Sequence, residues 1–269
     1  MLNPIVGEIF CIDKPLEMTS FNAVKQIRGR FRRHLGLKNI HVGHAGTLDP
    51  LATGVLIVCT GRMTKRIEEL QAGVKEYIAW IRLGETTPSF DMETEVDATY
   101  PWQHITREQV ERVLQQQFTG AIEQVPPAFS ACKVDGKPAY KLARKGKDVE
   151  IRPKTLVIDE IEVLECGLPA EPTLTVRVVC SKGTYIRALA RDIGQALGSG
   201  AHLYGLRRTR VGDISVEQCE NLHSLLDRLD NEQYVSADEA EAQLLEAERE
   251  ANRARAAAQK AARHKSKKT

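Results

Sequence analysis

Runs of apolar residues bounded by turn-forming residues predict five β-strands along the chain. The runs fall at residues 8–12, 55–59, 77–83, 156–164 and 174–180. The run Val55-Leu56-Ile57-Val58 is continuous and apolar, which is typical of a buried strand. Each predicted strand therefore supplies core residues to a sheet.

Apolar residues spaced three or four positions apart predict three amphipathic helices between the strands. The expected N-caps are Ser20, Thr106 and Thr184. Thr106 with Gln109 matches a capping box, and Gly120 and Gly198 are the expected stops of the second and third helices. The residues expected to face the core are Phe21, Val24, Ile27, Phe31 and Leu35 in the first helix, Val110, Val113, Leu114 and Phe118 in the second, and Leu189, Ala190, Ile193 and Leu197 in the third.

The order of these elements predicts the fold class. Strands outnumber helices and do not alternate with them regularly, so an α+β fold with a mixed, largely antiparallel sheet flanked by helices fits better than a doubly wound sheet. Residues 1–231 are expected to form one domain. Within it, residues 126–150 are predicted to form a loop because they are rich in Pro and Gly.

Residues 232–269 differ in composition from the rest of the chain. Residues 232–248 hold six acids and no Lys or Arg, whereas residues 249–269 hold eight Lys or Arg and one acid. Ser236 and Glu239 match a capping box, and acids before bases suit the helix dipole. We expect a charged, Ala-rich tail, helical or disordered, that either binds RNA or serves as a solubilising extension.

The composition excludes several classes of protein. With 269 residues, of which 42% are hydrophobic and 28% are charged, the chain resembles ordinary soluble proteins. It has no apolar stretch of about 18 residues, and its N-terminus lacks the features of a signal peptide. Six scattered cysteines without a CxxC pair are expected to be free thiols in a reducing compartment, which favours a cytoplasmic protein without a membrane span.

Basic residues are concentrated in three clusters, although the formal net charge is only +2. Residues 28–41 hold seven Lys, Arg or His and no acid. The second cluster spans residues 141–147, and the third consists of Arg207, Arg208 and Arg210. Such clusters favour a polyanionic partner.

Asp49 is the acid with the most distinctive surroundings. It lies in HVGHAGTLDPLATGVL (41–56), a Gly-containing loop that runs directly into the buried strand at residues 55–59. Pro50 biases Asp49 towards extended backbone, and the strand braces the loop. The pattern is typical of a reactive group that is held still, although Asp-Pro in such a loop is also common turn chemistry.

Six separated segments together resemble the TruB-type tRNA pseudouridine synthases. They cover residues 7–212 in the order typical of that family. The segments are GEIFCIDKPLEMTS (7–20), HVGHAGTLDPLATGVL (41–56), KEYIAWIRLGETT (75–87), QVPPAFSACKVDGKPAYKLARKG (124–146), CSKGTYIRALARDIG (180–194) and GAHLYGLRRTRVG (200–212).

The resemblance implies roles for single residues of this chain. Asp49 matches the catalytic aspartate, Arg187 the arginine that pairs with it, and Tyr77 the tyrosine that packs on the target base. The other matched residues are His44, which helps to hold the T-loop, Tyr185 and Leu206, which contact the substrate or line its pocket, and Lys14, which with Pro15 supports the site.

The resemblance also implies a reaction, the isomerisation of the T-loop uridine at position 55 of tRNA to pseudouridine. Uracil leaves its N1–C1′ bond, rotates and rejoins through C5, so no cofactor or metal is expected. Flipping the base costs a few kcal/mol, and stacking on Tyr77 returns about 1–3 kcal/mol. Asp49 must be ionised to attack C6 of uracil or C1′ of ribose, and we expect Arg187 to lower its pKa by about 1–3 units.

The expected architecture is a pseudouridine synthase-like catalytic domain with a central RNA-binding cleft. Residues of about 124–150 would grip the T-arm of tRNA, and we expect a cytoplasmic monomer without an obligatory protein partner. The chain departs from the family at Glu17, where Gly is usual, and at Pro88, Ser89 and Thr94. Residues 213–269 are too few and too rich in Ala and Glu for a PUA-type domain.

Two alternative functions remain compatible with these residues. One is a guide-dependent synthase of the box H/ACA type, whose catalytic motifs are related. The other is an RNA-folding chaperone that binds tRNA without chemistry, or in addition to it.

Overall fold

The structure, a computed structural model, describes residues 1–37, 39–130, 132–134, 136–139 and 151–266. Within these ranges the strands are β1 (Ile9–Lys14), β2 (Val42–Ala45), β3 (Ala52–Thr60), β4 (Lys75–Leu83), β5 (Glu85–Thr86), β6 (Ala98–Thr99), β7 (Gly120–Gln124), β8 (Lys133–Val134), β9 (Lys137–Pro138), β10 (Lys154–Cys166), β11 (Thr173–Cys180), β12 (Ala201–Val211), β13 (Ile214–Ser215) and β14 (Glu220–Asn221).

Helices lie between and after these strands. They are α1 (Ser20–Leu35), α2 (Ile67–Ala72), α3 (Arg107–Gln117), α4 (Ile186–Ala196), α5 (Leu222–Asn231) and α6 (Ala237–Ser266). A 3₁₀ turn at Gly61–Arg66 leads directly into α2. None of the helices in the described ranges combines the length and the apolar character needed to cross a bilayer.

One large sheet organises the molecule. Its strand order is β14-β1-β3-β12-β4-β11-β10-β7, with β2 added to β3 and β13 added to β12. Pairing is parallel between β1 and β14 and between β12 and β3, and it is antiparallel for the other neighbours in the sheet. The predicted α+β class with a mixed, largely antiparallel sheet flanked by helices is confirmed.

Two groups of helices cover different halves of this sheet. α3 and α4 pack on β4, β10, β11 and β12 through a core that includes Leu114, Ile158 and Leu189. α1 and α5 pack on β1 and β3 through a second core that includes Phe31 and Leu225. The two halves meet at β3 and β12, which are paired in parallel.

All five predicted strands are present and are longer than predicted, as β1, β3, β4, β10 and β11. The sequence pattern missed β12, although this strand lies at the centre of the sheet. Arg207, Arg208 and Arg210 interrupt its apolar pattern. The period of two that marks a strand is therefore hidden by charges that the fold itself neutralises or buries.

The first predicted helix is present, but two details of its prediction are wrong. Thr19 is the N-cap, because its hydroxyl accepts a hydrogen bond from the N–H of Asn22, and Ser20 is the first helical residue. The Ser20 hydroxyl is instead buried against Leu48. Phe21 was expected in the core, yet it is 61% exposed.

The other two predicted helices are also present. The capping box of Thr106 and Gln109 is confirmed, although α3 ends at Gln117 and Gly120 opens β7. Thr184 does not cap α4, since Tyr185 is the N-cap residue and the Thr184 hydroxyl donates to the Ser181 carbonyl at 3.0 Å. The expected stop is confirmed for α4, which Gly198 follows at a φ of 68°.

Glu17 has a φ of 59°, in the left-handed region. The turn that usually contains Gly is therefore preserved with a side chain present, at a cost of about 1–2 kcal/mol. The tail is helical from Ala237 to Ser266, and the Ser236 hydroxyl accepts from the N–H of Glu239 at 3.2 Å. The second basic cluster, 141–147, lies outside the described residues, as does most of the predicted loop around it.

The six cysteines are free thiols, three of them buried and three partly buried. Cys59, Cys132 and Cys180 are the buried ones. Burial raises the pKa of Cys59 and of Cys180 to about 11, so both stay protonated near neutral pH. These thiols behave as small apolar core residues.

Gly54 permits the close contact between β3 and β12, which generates a first prediction. Its φ is 104°, and a Cβ there would lie 2.1 Å from the backbone oxygen of Arg208. We expect Gly54→Ala to lower the free energy of unfolding by about 2–4 kcal/mol in urea denaturation. Gly29, inside α1, is the control because a Cβ at that position would meet open space. Gly29→Ala should raise stability by about 0.5–1 kcal/mol, and equal effects at both positions would contradict this account.

Candidate active site

Asp49 lies in the loop between β2 and β3, and both neighbouring segments hold that loop. The Ser20 hydroxyl, in the first turn of α1, donates to the Leu48 carbonyl at 2.9 Å and accepts from the Leu48 N–H at 2.8 Å. The Asp49 carbonyl accepts from the N–H of Ala52, where β3 begins. The backbone on both sides of Asp49 is thus fixed by hydrogen bonds.

Arg187, in the first turn of α4, faces the Asp49 side chain. The distance from its Nε to Oδ2 of Asp49 is 2.9 Å, and the arginine side chain is only 4% exposed. Its other nitrogens donate to the backbone carbonyls of Ser89 at 3.1 Å and Phe129 at 3.0 Å. The structure therefore brings together the two residues that the sequence placed at the centre of the site, and it holds the guanidinium in one orientation.

A second carboxylate lies at this pair. Oδ2 of Asp91 is 3.6 Å from Nε of Arg187, and the Asp91 side chain is 7% exposed. Sequence reasoning missed Asp91 because it lies in the segment that departs from the family pattern. The sequence did place an acid two residues after Ser89, within a short segment rich in polar residues, which could have indicated a site residue.

The environment of Asp49 changes its acidity. Burial raises the pKa of Asp49, the neighbouring Arg187 opposes that rise, and the negative charges of Asp91 and Glu93 add to it. Arg187 lowers the pKa of Asp49, as expected, but burial and the neighbouring acids raise it by more, so the net shift is upward. Partial loss of hydration disfavours the charged carboxylate, although the Asp49 side chain remains 38% exposed.

A cavity of about 220 Å³ opens beside Asp49. This volume is below the roughly 300–1,000 Å³ of pockets for drug-sized ligands, so it suits a single ring. Tyr77 from β4, Tyr185 and Arg187 from the start of α4, and Leu206 from β12 line it with Asp49. Five of the seven predicted site residues thus share one cavity.

Tyr77 and Tyr185 reach this cavity in different ways. Tyr77 is an inward residue of β4 and is buried, and burial raises the pKa of its hydroxyl. Tyr185 is placed by Gln124 at the end of β7, whose side chain accepts from the Tyr185 N–H at 2.9 Å and donates to the Tyr185 carbonyl at 3.1 Å. The Tyr77 ring is thus buried on the sheet, and the end of β7 fixes the backbone of Tyr185.

Lys14 and His44 do not line the cavity. Lys14 is fully buried at the end of β1, and its ammonium donates to the carbonyls of Pro15 at 2.7 Å and Met18 at 2.6 Å and approaches that of Pro50 at 3.5 Å. Lys14 therefore supports the loop that carries Asp49, and burial lowers its pKa to about 8.

His44 is on β2, opposite Val58 of β3. Burial and the charge of Arg208 lower the pKa of His44, which favours the neutral ring. Its Nδ1 is buried and has no hydrogen-bond partner among the described residues. A buried ring nitrogen without a hydrogen-bond partner costs free energy, which makes His44 an exception among the buried polar groups of the site.

Two further buried cations at the cavity, Lys75 and Arg208, were not predicted as site residues. The Lys75 ammonium donates to the carbonyls of Gln71 and Gly73, which end α2. Burial, with Arg208 nearby, lowers the pKa of Lys75 to about 8. The sequence feature that could have indicated them is a charge within a strand: Lys75 is the first residue of β4, and Arg208 lies inside β12.

A second, larger cavity of about 530 Å³ meets the same Asp49–Arg187 pair from the other side. Trp80, Met92 and Tyr204 line it, and Met92 and Tyr204 are exposed. Leu206 separates the two cavities and contributes to both. The carboxylate is thus accessible from a groove wider than the small cavity alone. Among the described residues, no group of three His, Cys, Asp or Glu is arranged to hold a metal ion.

Comparison with known proteins identifies relatives of high similarity. The chain is 65% identical over 227 residues to a tRNA pseudouridine synthase B of Phocaeicola vulgatus, covering 84% of this chain and 95% of that protein. It is 64% identical over 226 residues to one of Bacteroides thetaiotaomicron, covering 82% and 94%, and 49% identical over 212 residues to one of Flavobacterium johnsoniae, covering 78% and 91%.

Solved structures also resemble the chain. A chain of a Cbf5-Nop10-Gar1 complex superposes with a TM-score of 0.60 at 31% identity, covering 84% of this chain and 55% of that one. A chain of an H/ACA RNP bound to a substrate RNA containing 2′-deoxyuridine gives a TM-score of 0.58 at 30% identity, covering 84% and 54%. The chain spans little more than half of the length of these solved chains.

Fold, site and similarity together place the chain among the pseudouridine synthases. The model of the TruB family pseudouridylate synthase N-terminal domain matches residues 32–186, and that of the tRNA pseudouridylate synthase B C-terminal domain matches residues 187–249. The chain therefore belongs to the TruB family of pseudouridylate synthases.

Proposed function

We propose that this pseudouridine synthase isomerises the T-loop uridine of tRNA, position 55, with Asp49 as the attacking group. The observation that carries the proposal is the ion pair of Asp49 and Arg187 at the side of a cavity sized for one ring. The names of its relatives, tRNA pseudouridine synthase B, support tRNA as the substrate.

The base enters the small cavity only after it leaves the RNA stack, because the cavity walls surround a single ring. Unstacking costs a few kcal/mol, and contact with an aromatic face such as that of Tyr77 returns about 1–3 kcal/mol. Leu206 and Tyr185 complete the wall. His44, outside the cavity on β2, contacts the loop from which the base has turned out.

Asp49 acts as a carboxylate. It attacks the nucleotide, the N1–C1′ bond breaks with its electron pair on uracil, and the uracil rotates. C5 then bonds to C1′ and the bond between Asp49 and the nucleotide breaks, which returns the carboxylate. The C5 proton leaves to solvent and N1 takes up a proton, so product and substrate have the same composition. Arg187 holds the carboxylate in one orientation through a charge-assisted hydrogen bond.

The basic surface of α1 and the cluster at residues 141–147 supply the electrostatic attraction for RNA. The third cluster does not contribute, because Arg207 and Arg210 are paired with Asp13 and Glu76 and Arg208 is buried. No step of the reaction imports or removes a group, so the proposed enzyme needs no cofactor. We further propose that it works as a cytoplasmic monomer on the T-arm, without an obligatory protein partner.

A guide-dependent mechanism is the alternative that the similarity to the H/ACA RNP raises. The relatives named tRNA pseudouridine synthase B, which the chain matches at 64–65% identity over 94–95% of their length, support the direct tRNA enzyme instead. Incubating the purified chain with a bare T-arm hairpin separates the two, because the proposed enzyme forms pseudouridine without guide RNA or added proteins. No product on the hairpin, with product restored by a guide complex, would support the alternative.

Replacing Asp49 with Asn tests the nucleophile. The substitution keeps the shape and removes the charge, so we expect pseudouridine formation to fall by at least roughly 1,000-fold while tRNA binding stays within about threefold. Tritium release from tRNA labelled at uridine C5 measures the reaction, and filter binding measures affinity.

Asp227, an exposed residue of α5, provides the matched control, and Asp227→Asn should leave both values unchanged. Near-normal tritium release by Asp49→Asn would show that another group attacks. The same pair of variants separates a chaperone role, because tRNA refolding by Asp49→Asn at the wild-type level would be independent of the chemistry.

The raised pKa of Asp49 predicts the pH dependence of the reaction. Below that pKa the carboxyl is protonated and cannot attack, so kcat/KM rises with pH through it. The acid limb should lie above the ordinary aspartate pKa of about 3.9. Since Asp91 contributes to the rise, Asp91→Asn should shift the limb to lower pH. A limb at or below the ordinary value, unmoved by Asp91→Asn, would contradict the assignment.

A further inference from the structure

The C-terminal helix α6 forms one wall of a groove on the body of the molecule. Ala240 is buried and the Asn3 side chain donates to Gln243 at 2.8 Å, so the first turns of the helix are attached to the N-terminal segment. The groove holds about 540 Å³ between Leu244 and Glu248 of α6 on one side and Leu37, residues 39–41 and residues 61–65 on the other.

Positive charge gathers around this groove. His41, Arg62 and Lys65 line it, and the single carboxylate in its lining is that of Glu248. In the part of the chain that the structure describes, neither Arg62 nor Lys65 forms an ion pair, whereas the adjacent Arg66 is paired with Glu69. Cations that lack an acidic partner are available to an external anion.

The helix continues this basic surface beyond the groove. Arg249, Arg253 and Arg255 are exposed, and no ion pair to them is present within the described ranges. They follow Glu248 within seven residues, which is about 10 Å of helix. The one acid among them is Glu250, so the charge of this stretch is net positive.

The groove is connected to the active site by β2. His41 precedes this strand, and Gly46, a residue of the small cavity, follows it. Five residues of extended chain span roughly 16 Å. A nucleic acid strand whose base occupies the cavity therefore reaches the groove within a few nucleotides.

We propose that this groove and the exposed arginines of α6 bind backbone phosphates of the substrate RNA outside the loop that enters the active site. The inference rests on the proposed function for the identity of the RNA. A polyanion fits because the cations are unpaired, accessible and arranged along a groove rather than around a point. Phosphate contacts of this kind fix the register of the RNA without reading its sequence.

The variant Arg249→Gln with Arg253→Gln tests the surface without disturbing the fold, because Gln is a good helix former and both positions are exposed. We expect the Kd for full-length tRNA to rise roughly three- to tenfold. The slope of log K against log salt should fall by about one for each phosphate that the variant no longer binds. The kcat at saturating tRNA should be unchanged.

Arg107→Gln with Arg112→Gln is the matched control. These arginines are exposed on α3, which packs at β10, about 24 Å across the sheet from β1. The control should leave Kd and salt slope unchanged. An unchanged Kd and an unchanged salt slope in the α6 variant would overturn the proposal. If the wild-type chain forms no pseudouridine but the α6 variant still binds RNA more weakly than the wild type, the proposed function fails and the phosphate-binding surface stands.

An independent observation concerns Arg208, which is 2% exposed on β12. Its Nε donates to the carbonyl of Val55 at 2.8 Å, and its Nη2 donates to that of Gly46 at 3.0 Å, with the carbonyl oxygen of Thr47 at 3.5 Å from Nη1. Among the described residues it has no carboxylate partner. A buried guanidinium that lacks a carboxylate partner is costly, so a structural purpose is expected.

The carbonyls that Arg208 binds flank Asp49 on both sides. Gly46 and Thr47 precede the aspartate in its loop, and Val55 follows it in β3. Across the sheet Arg208 is paired with Tyr77 of β4, whose hydroxyl it approaches. One side chain thus contacts the loop of the acid and the ring of the base-binding tyrosine.

We infer that Arg208 is a positioning residue that sets the loop of Asp49 against Tyr77. Arg208→Lys keeps the charge but removes the fork that binds two carbonyls at once. We expect kcat to fall about tenfold or more with KM changed less than about threefold. The melting temperature should change no more than in Arg177→Lys.

Arg177 lies on β11 of the same sheet and forms ion pairs with three glutamates. It is the control for replacing an arginine that has several partners. Arg177→Lys should leave kcat at the wild-type value. A normal kcat in Arg208→Lys would overturn the positioning role. If Arg208→Lys melts at a much lower temperature than Arg177→Lys, a crystal structure of Arg208→Lys is the deciding test. A lowered kcat with the Asp49 loop in its original position would also overturn the positioning role.

Discussion

The buried guanidinium of Arg187 is the constraint on which the site depends. A charge removed from water must find partners, and Arg187 finds them in three separate segments: Asp49, the carbonyl of Ser89 and the carbonyl of Phe129. Each contact ties a loop to the first turn of α4. The contacts of this one cation with oxygen atoms therefore fix the positions of the loops around the cavity, and so its shape.

Other buried cations repeat this arrangement on a smaller scale. Lys14, Lys75 and Arg208 are all buried and are all bound by backbone carbonyls near the ends of strands or helices. Carbonyls at such ends lack partners from regular structure, so a cation there satisfies several of them at once. These cations hold the segments around Asp49 and keep positive charge near the site, which suits a polyanionic substrate.

The sequence predicted the elements with strong periodicity and the residues carried by motifs. The five strands, α1, α3, α4 and the proximity of Asp49 to Arg187 are examples. It missed β12 because three arginines break the alternation, and it misjudged Phe21 because helical spacing alone does not fix which edge of an apolar stripe is covered. Asp91 and the net pKa of Asp49 depend on contacts between distant segments, and no local pattern records the loss of water on burial.

Asp91 has a consequence for the intermediate of the proposed reaction. Once the Asp49 carboxylate forms a covalent bond to the nucleotide, it carries no charge, and the cation beside it loses a counter-ion in a dry environment. The second acid, 3.6 Å from the same nitrogen, keeps the local charge balanced at that stage. In the intermediate Arg187 therefore still has an acidic partner. Its side chain can stay in the same position until the product forms.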